Sequence, residues 1–237
     1  MNNTERKLYL IPTLLGESAP ERVIPTYNLD IIRSIRFFVV EEERTARRFL
    51  AGCGLKDELP RIQFFLLNEH TPAFEIPGIF SSAGASDIGM ISEAGVPGVA
   101  DPGAILVEEA HRLNVKVIPL VGPSSLLLAL MASGLNGQQF AFNGYLPVKS
   151  HERMARIKHF EKRSETENQS QIFIEAPYRN NQLIQAFLET CKPATRLCIA
   201  SNITLSNEWI KTKTIRDWRI TNPPDLKKQP VVFILQA

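Results

Sequence analysis

Strand-like and helix-like segments alternate along the first half of the chain, and this alternation limits the possible folds more than any other feature. Apolar runs typical of strands occur at 7–11, 37–40, 61–67, 87–91 and 115–122. Amphipathic stretches typical of helices lie at 28–35, 44–51 and 102–113. Such a β-α-β rhythm indicates a mostly parallel sheet covered by helices. We therefore predict an α/β domain over residues 1–121.

The second half has a different pattern. Strand-like runs occur at 139–147, 171–177, 196–201, 208–215 and 230–236. Helices are expected at 123–134, in the basic stretch after 147 and at 180–190, whereas 161–170 is a polar run that approaches low complexity. The last three strands have little helix between them, which favours antiparallel pairing. We predict a second, α+β domain with a mixed sheet over residues 122–237.

Composition excludes several classes of protein. Of 237 residues, 44% are apolar and 22% charged, as in an ordinary globular protein. A net charge of +2 confines any nucleic-acid contact to a local patch. Lys149, Arg153, Arg156 and Lys158 are candidates for an RNA-backbone contact, with Arg153 and Arg156 on one helical face, or they belong to an ordinary exposed helix.

Neither a membrane span nor a metal site is expected. No apolar run approaches about 20 residues, and the amino terminus lacks the apolar core of a secretory signal. Cys53, Cys191 and Cys198 form no C-x-x-C pair, and the four histidines have no zinc-like spacing. We expect a reduced, cytoplasmic chain without metal.

Residues 91–103, "ISEAGVPGVADPG", form an unusually long connection between a predicted strand and a predicted helix. Such connections normally need about two to six residues, so the excess suggests a site. Asp101 suits an N-cap and Pro102 the first position of a helix that runs to Leu113.

Loops 11–18, 92–103 and 121–125 each follow a predicted parallel strand. Ligands of open α/β sheets bind beyond the carboxyl ends of the strands, where glycine lets backbone N–H groups approach. None of the loops matches G-x-G-x-x-G or the P-loop, so neither NAD nor a nucleoside triphosphate is indicated. Turn geometry would explain one such loop, but three favour a ligand site.

Four motifs in order along the chain resemble one known family. They are 91–103, which resembles V-S-D-A-G-T-P-x-I-S-D-P-G, "PLVGPSSLLLALMASGL" (119–135), "FAFNGYLPVKSHER" (140–153) and "FIEAPYR" (173–179). The family is that of bacterial 2′-O-ribose methyltransferases acting on 16S rRNA, within the tetrapyrrole methylase superfamily. The resemblance implies two α/β domains with S-adenosyl-L-methionine in a cleft between them, and a homodimer.

The chain departs from the family pattern at several positions. Residues 11–17 stand where the family has A-T-P-I-G-N-L, and Glu93 replaces the aspartate of S-D-A-G. Glu42 and Glu43 replace the aspartate and threonine of E-D-T-R. The chain stops at Ala237, whereas the rRNA enzymes carry a further segment. The resemblance therefore implies the cofactor more strongly than the rRNA substrate.

The cofactor contacts follow from the resemblance and the loops. In the first half they are Pro12, Glu93, Ala94, Val96, Ala100, Asp101, Ser124 and Ser125, and in the second Ile174, Ala176, Ile203 and Pro230. A carboxylate at Glu93 suits the ligand's ammonium group or ribose hydroxyls, unless it is merely solvated. Ser124 precedes a helix whose free N–H groups suit a carboxylate or adenine, unless it is a simple cap. The four second-half residues suit adenine.

The predicted catalytic residues are Glu42, Arg44 and Glu69. A carboxylate would accept or orient the proton of a ribose hydroxyl while Arg44 holds a phosphate. Residues 68–70 lie where the family has H-E-H-N-E; the charges at 41–44 also suit an exposed helix start. The leading function is an S-adenosylmethionine-dependent methyltransferase on rRNA ribose. The alternatives are a methyltransferase on a tetrapyrrole precursor and a non-catalytic module that binds the cofactor or RNA.

Overall fold

The computed structural model describes residues 5–237. The chain forms two compact units, Met1–Ser124 and Ser125–Ala237, and each contains one five-stranded sheet. Within the described residues, no helix combines the length and apolar character that crossing a membrane requires.

The sheet of the first unit is entirely parallel. Its strands are β1 (Lys7–Ile11), β2 (Phe37–Val40), β3 (Gln63–Leu66), β4 (Ile88–Ile91) and β5 (Lys116–Pro119), and its helices are α1 (Thr26–Ser34), α2 (Glu43–Leu50), α3 (Ile76–Ala83) and α4 (Ala104–Arg112). The strand order is β3-β2-β4-β1-β5. All five carboxyl ends therefore reach the same edge, as the alternating pattern predicts.

Two apolar layers enclose this sheet. One contains Ile32 and Leu50 from α1 and α2, and the other contains Phe80 and Leu106 from α3 and α4. The central strand β4 is buried along its whole length. A Cβ added at its Gly89 would lie 2.7 Å from Cδ1 of Ile11, so close packing of side chains across the sheet requires glycine there.

Two details of this unit differ from the sequence prediction. Helix α3 was not predicted, because its Pro77 and Gly78 argue against a helix, but proline is tolerated in a first helical turn. Asp101 was predicted to be the N-cap of the next helix, and this is wrong. Helix α4 begins at Ala104 after Gly103, and the Asp101 carboxylate accepts hydrogen bonds from the backbone N–H groups of Gly98 (2.9 Å) and Gly103 (2.8 Å).

The sheet of the second unit is mixed, as predicted. Its strands are β6 (Phe140–Phe142), β7 (Ser170–Ile174), β8 (Arg196–Ser201), β9 (Trp209–Thr214) and β10 (Val231–Gln236), and its helices are α5 (Ser125–Ser133), α6 (Ser150–Glu167), α7 (Asn180–Thr190) and α8 (Ile215–Thr221). The order is β6-β7-β10-β8-β9, with β6 parallel to β7 and the other pairs antiparallel. All six residues of β10 are buried at the centre.

Most of the polar run 161–170 is helical, because α6 extends to Glu167. Because some buried positions at this end of α6 carry polar side chains, the pattern of apolar residues does not predict that the helix continues here. The Glu161 carboxylate accepts hydrogen bonds from the Thr195 hydroxyl (2.6 Å) and the Lys192 backbone N–H (2.7 Å), so its burial is compensated. Strand β6 covers three residues rather than the predicted 139–147, and the short helix α8 was not predicted.

The cysteines lead to a prediction. All three, Cys53, Cys191 and Cys198, are free and buried. Burial raises the pKa of Cys53 to about 12, and the pKa values of the other two thiols are also raised, chiefly by burial. Because the thiolate is the reactive species, we expect the native protein to react with a disulfide reagent at pH 8 far more slowly than the denatured chain. Rapid labelling of any native thiol would contradict this.

Candidate functional site

Three of the loops singled out in the sequence meet at the carboxyl edge of the first sheet. They follow β4, β1 and β5, which are neighbours in that order. The backbone N–H of Thr13 donates to the carbonyl of Gly95 (2.8 Å), which joins the loops after β1 and β4. The loop after β5 lies against Pro12, because a Cβ added at Gly122 would be 2.4 Å from the Cβ of Pro12. The three loops form one continuous surface.

The length of the loop after β4 has a conformational explanation. Gly95, Gly98 and Ala100 all have positive φ, at 77°, 81° and 63°, so the backbone folds back on itself. The Ser92 hydroxyl donates to the Gly95 carbonyl (3.0 Å) inside this fold. A left-handed alanine is strained by about 1–3 kcal/mol, and such strain concentrates at functional sites.

Glu41 forms a group of three carboxylates with Glu93 and Asp101 of this loop. Glu41 directly follows β2, the neighbour of β4, and its Oε1 accepts a hydrogen bond from the backbone N–H of Glu93 (3.1 Å). Burial raises the pKa of Glu41, and the charges of Asp101 and Glu93 raise it further, while the hydrogen bond from Glu93 partly opposes the shift. Glu41 therefore carries a more basic carboxylate than an exposed glutamate.

Glu41 was not among the predicted catalytic residues, although it occupies the first position of the E-D-T-R-like stretch. Glu42 instead caps α2, because its carboxylate accepts hydrogen bonds from the backbone N–H groups of Arg44 (2.8 Å) and Thr45 (3.1 Å). The side chain of Arg44 is exposed. Its role and that of Glu42 in catalysis stay predictions.

Glu69 is separate from this group. It lies in a tight turn after the edge strand β3, its side chain is 86% exposed, and its Oε1 lies 3.5 Å from Nε2 of His70. Among the described residues, Glu69 forms no hydrogen bond or ion pair with Glu41 or Glu93. The turn is closed by the Asn68 and Thr71 side chains, which bond to its backbone.

A cavity of about 500 Å³ opens on the α2 side of the same edge. Its wall is formed by the loop after β1, by α2 and by 91–94, and it includes Thr13, Leu14, Leu15, Gly16, Glu17, Ser18, Pro20, Thr45, Ala46, Arg48, Phe49 and Gly52. The Thr45 hydroxyl donates to Oε1 of Glu93 (2.6 Å), so Glu93 links this cavity to the carboxylate group. Volumes of about 300–1,000 Å³ are typical of small-molecule sites.

The other predicted cofactor residues fall into two groups. In the first unit, Ala94 and Ala100 are exposed and Val96 is half-buried on the loop after β4. Ser124 is buried immediately before α5, and Ser125 is the first residue of that helix. Their contact with a ligand stays a prediction.

Four predicted residues lie at one edge of the second sheet. Ile174 ends β7 and Ala176 follows it, Ile203 follows β8, and Pro230 precedes β10. The register places them at the same edge, because Ile174 pairs with Val232 and Val231 pairs with Ser201. The backbone N–H of Asn202 also donates to the Pro230 carbonyl (3.1 Å).

The prediction of an exposed basic face on α6 is partly wrong. Arg153 is buried, and its Nη1 donates to the Val148 carbonyl (2.9 Å), so it fastens the preceding loop rather than facing solvent. Arg156 stays exposed with its guanidinium 4.7 Å from the Phe160 ring centre, and Lys149 and Lys158 are exposed.

In residues 5–237 no group of three or more His, Cys, Asp or Glu side chains could hold a metal ion.

Comparison of the sequence with known proteins places this chain in a family. No family model matches the sequence. Ribosomal RNA small subunit methyltransferase I of Vibrio cholerae is 31% identical over 97% of this chain and 77% of its own length, and that of Mesorhizobium japonicum is 32% identical over 90% and 68%.

Solved structures share the fold. The methyltransferase CobJ superposes with a TM-score of 0.62 at 15% identity, over 98% of this chain and 93% of its own. Uroporphyrin-III-C-methyltransferase from Thermus thermophilus gives 0.55 at 16% identity, over 97% and 94%. These structures confirm the predicted α/β fold class, and the relatives confirm the resemblance drawn from the four motifs. The chain belongs to the ribosomal RNA small subunit methyltransferase I family.

Proposed function

We propose that this protein transfers the methyl group of S-adenosyl-L-methionine to a ribose 2′-hydroxyl of small-subunit ribosomal RNA. The observation that carries the proposal is the similarity to enzymes named for small-subunit rRNA methylation, which extends over 97% of the chain. The loops that meet at the carboxyl edge of β4, β1 and β5 support it, because open α/β sheets bind ligands there. A cytoplasmic homodimer acting on RNA belongs to the same proposal.

The residues at this edge fit the cofactor chemically. Glu93 is an exposed carboxylate suited to an ammonium group or ribose hydroxyls. The loop 92–103 supplies further backbone groups around its left-handed residues. When bound, the cofactor supplies a methyl group on a positively charged sulfur, which is already activated for transfer.

The protein's own contribution is positioning and proton removal. An aligned acceptor reacts far faster than a free one, because the entropy of orientation is lost on binding. We assign the proton to Glu41: its carboxylate would accept the proton of the acceptor hydroxyl, whose oxygen would receive the methyl group that the cofactor supplies, the cofactor leaving as a neutral thioether. A raised pKa makes that carboxylate a better base at neutral pH. Glu42, Arg44 and Glu69 are secondary candidates at the acceptor side.

The test is transfer of a labelled methyl group to purified small ribosomal subunits that lack the modification. We expect label in the rRNA, recovered after nuclease digestion as a 2′-O-methylated nucleoside. Label in a uroporphyrinogen-like tetrapyrrole instead would favour the alternative substrate. Saturable cofactor binding without transfer to either would favour a non-catalytic module.

Glu93 provides a prediction for the cofactor side. Replacing Glu93 with alanine removes a carboxylate that a charged ligand group would meet, and we expect a loss of about 1.5–3 kcal/mol in S-adenosylmethionine binding. Calorimetry on the two proteins measures this. Thr45→Val is the matched control, since it removes the hydroxyl that donates to Glu93 but keeps the carboxylate. Unchanged affinity of Glu93→Ala would exclude Glu93 from the cofactor site.

A further inference from the structure

We propose that the 500 Å³ cavity beside α2 holds the nucleobase of the target nucleotide, turned out of the RNA. This inference rests on the proposed function, because it identifies what the acceptor side of that site recognises. Most of the predicted cofactor residues do not line this cavity. Its wall comes from α2 and from the loops after β1 and β4; it includes Glu93 and Ala94 but none of residues 121–125.

The position of the cavity relative to Glu41 is the first argument. Glu93 lines the cavity, and its backbone N–H donates to the Glu41 carboxylate (3.1 Å). A ribose 2′-hydroxyl is separated from the base by two ring carbons. When that hydroxyl lies at Glu41, the base therefore lies only a few bonds away, and the cavity that Glu93 lines offers space for it there.

The chemistry of the wall is the second argument. Leu14, Leu15 and Phe49 are half-buried apolar side chains, and Phe49 offers an aromatic face. The preceding residue of α2, Arg48, is exposed at the same wall and carries a planar guanidinium. Proteins that recognise single-stranded RNA stack splayed bases on aromatic rings and arginine planes.

A third observation is an unused polar group. Ser18 belongs to the wall, and its hydroxyl oxygen is buried without a hydrogen-bond partner among the described residues. Buried hydroxyls nearly always have a partner in native proteins. The edge of a nucleobase carries the donors and acceptors that would supply one once the Ser18 side chain turns toward the cavity.

The experiment measures binding of the four nucleoside 5′-monophosphates to the full chain, with saturating S-adenosylhomocysteine present. We expect at least one to bind saturably. Phe49→Leu keeps apolar volume but removes the ring, and Arg48→Ala removes the guanidinium; each should weaken binding about tenfold. Arg61→Ala, which removes an arginine from an exposed pair with Glu58, is the matched control and should change nothing.

Three results would overturn the pocket: no saturable binding of any nucleotide, equal binding by all variants, or competition between the nucleotides and S-adenosylhomocysteine. The methyl-transfer assay on small subunits separates this failure from failure of the proposed function. Wild-type transfer without nucleotide binding leaves the function and removes the pocket. Nucleotide binding that the variants weaken, without any transfer to rRNA, leaves the pocket and removes the function.

Discussion

Glu41→Gln is expected to reduce methyl transfer by about 100-fold or more while the protein remains at least as stable as the wild type. Glutamine keeps the size of the side chain and can still accept the hydrogen bond from the Glu93 backbone N–H. It cannot take up a proton from the acceptor hydroxyl. Single-turnover transfer to small subunits, together with urea unfolding, measures both quantities.

The expected stability follows from the direction of the pKa shift. Burial raises the pKa of Glu41 above the ordinary value of 4.5, so the folded state disfavours the charged form. Relative to Glu41→Gln, the wild type should therefore gain stability as the pH falls through the raised pKa toward 4.5, because the folded state takes up the proton first. Glu41→Gln lacks this titration and avoids the cost of the charge at neutral pH.

Glu42→Gln is the matched control for this prediction. Glu42 caps α2 with both carboxylate oxygens, so its replacement should lower the free energy of unfolding by about 0.5–2 kcal/mol. Methyl transfer by the folded variant should change little. The opposite pattern, with Glu42→Gln inactive and Glu41→Gln active, would assign the proton transfer to Glu42.

The pattern of apolar residues was sufficient to predict the fold because most strands of both sheets contain a run of apolar residues. Strand β1 was predicted with its observed limits, and so was the six-residue strand β8. The motifs then identified the family. The elements that were missed, α3 and α8, are short helices whose sequences carry breakers or few apolar positions.

The site was predicted less completely, because hydrogen bonds between distant residues decide the role of each polar side chain. Glu41 and Glu42 are neighbours with the same side chain, yet one is turned toward Glu93 and the other caps a helix. Arg153 and Arg156 are three residues apart on one helix, but Arg153 is buried and its guanidinium donates to a backbone carbonyl. No local pattern contains that information. The cavity beside α2 was likewise not predicted, since it depends on three segments distant in sequence.

The second large effect is expected at Gly122. A Cβ there would lie 2.4 Å from Cβ and 2.6 Å from Cγ of Pro12, which is far inside ordinary contact distance. Because the Pro12 ring is bonded to its own backbone, it cannot rotate away, and Gly122→Ala must push the loops after β1 and β5 apart. We expect the free energy of unfolding to fall by about 1–3 kcal/mol.

The displacement should also reach the proposed cofactor contacts. Pro12 is bonded to Thr13, whose backbone N–H donates a hydrogen bond to the Gly95 carbonyl. Movement of Pro12 should therefore disturb the loop after β4 as well. S-adenosylmethionine should therefore bind to the folded variant at least about tenfold more weakly, since misplacing groups of a preorganised site is costly. Calorimetry at a temperature well below the unfolding transition separates this loss from lost stability. Gly137→Ala is the control, because a Cβ at Gly137 meets no atom within 4 Å and should leave both quantities unchanged. If Gly122→Ala unfolds at the wild-type urea concentration and binds the cofactor with wild-type affinity, close contact between these two loops is not what forms the site.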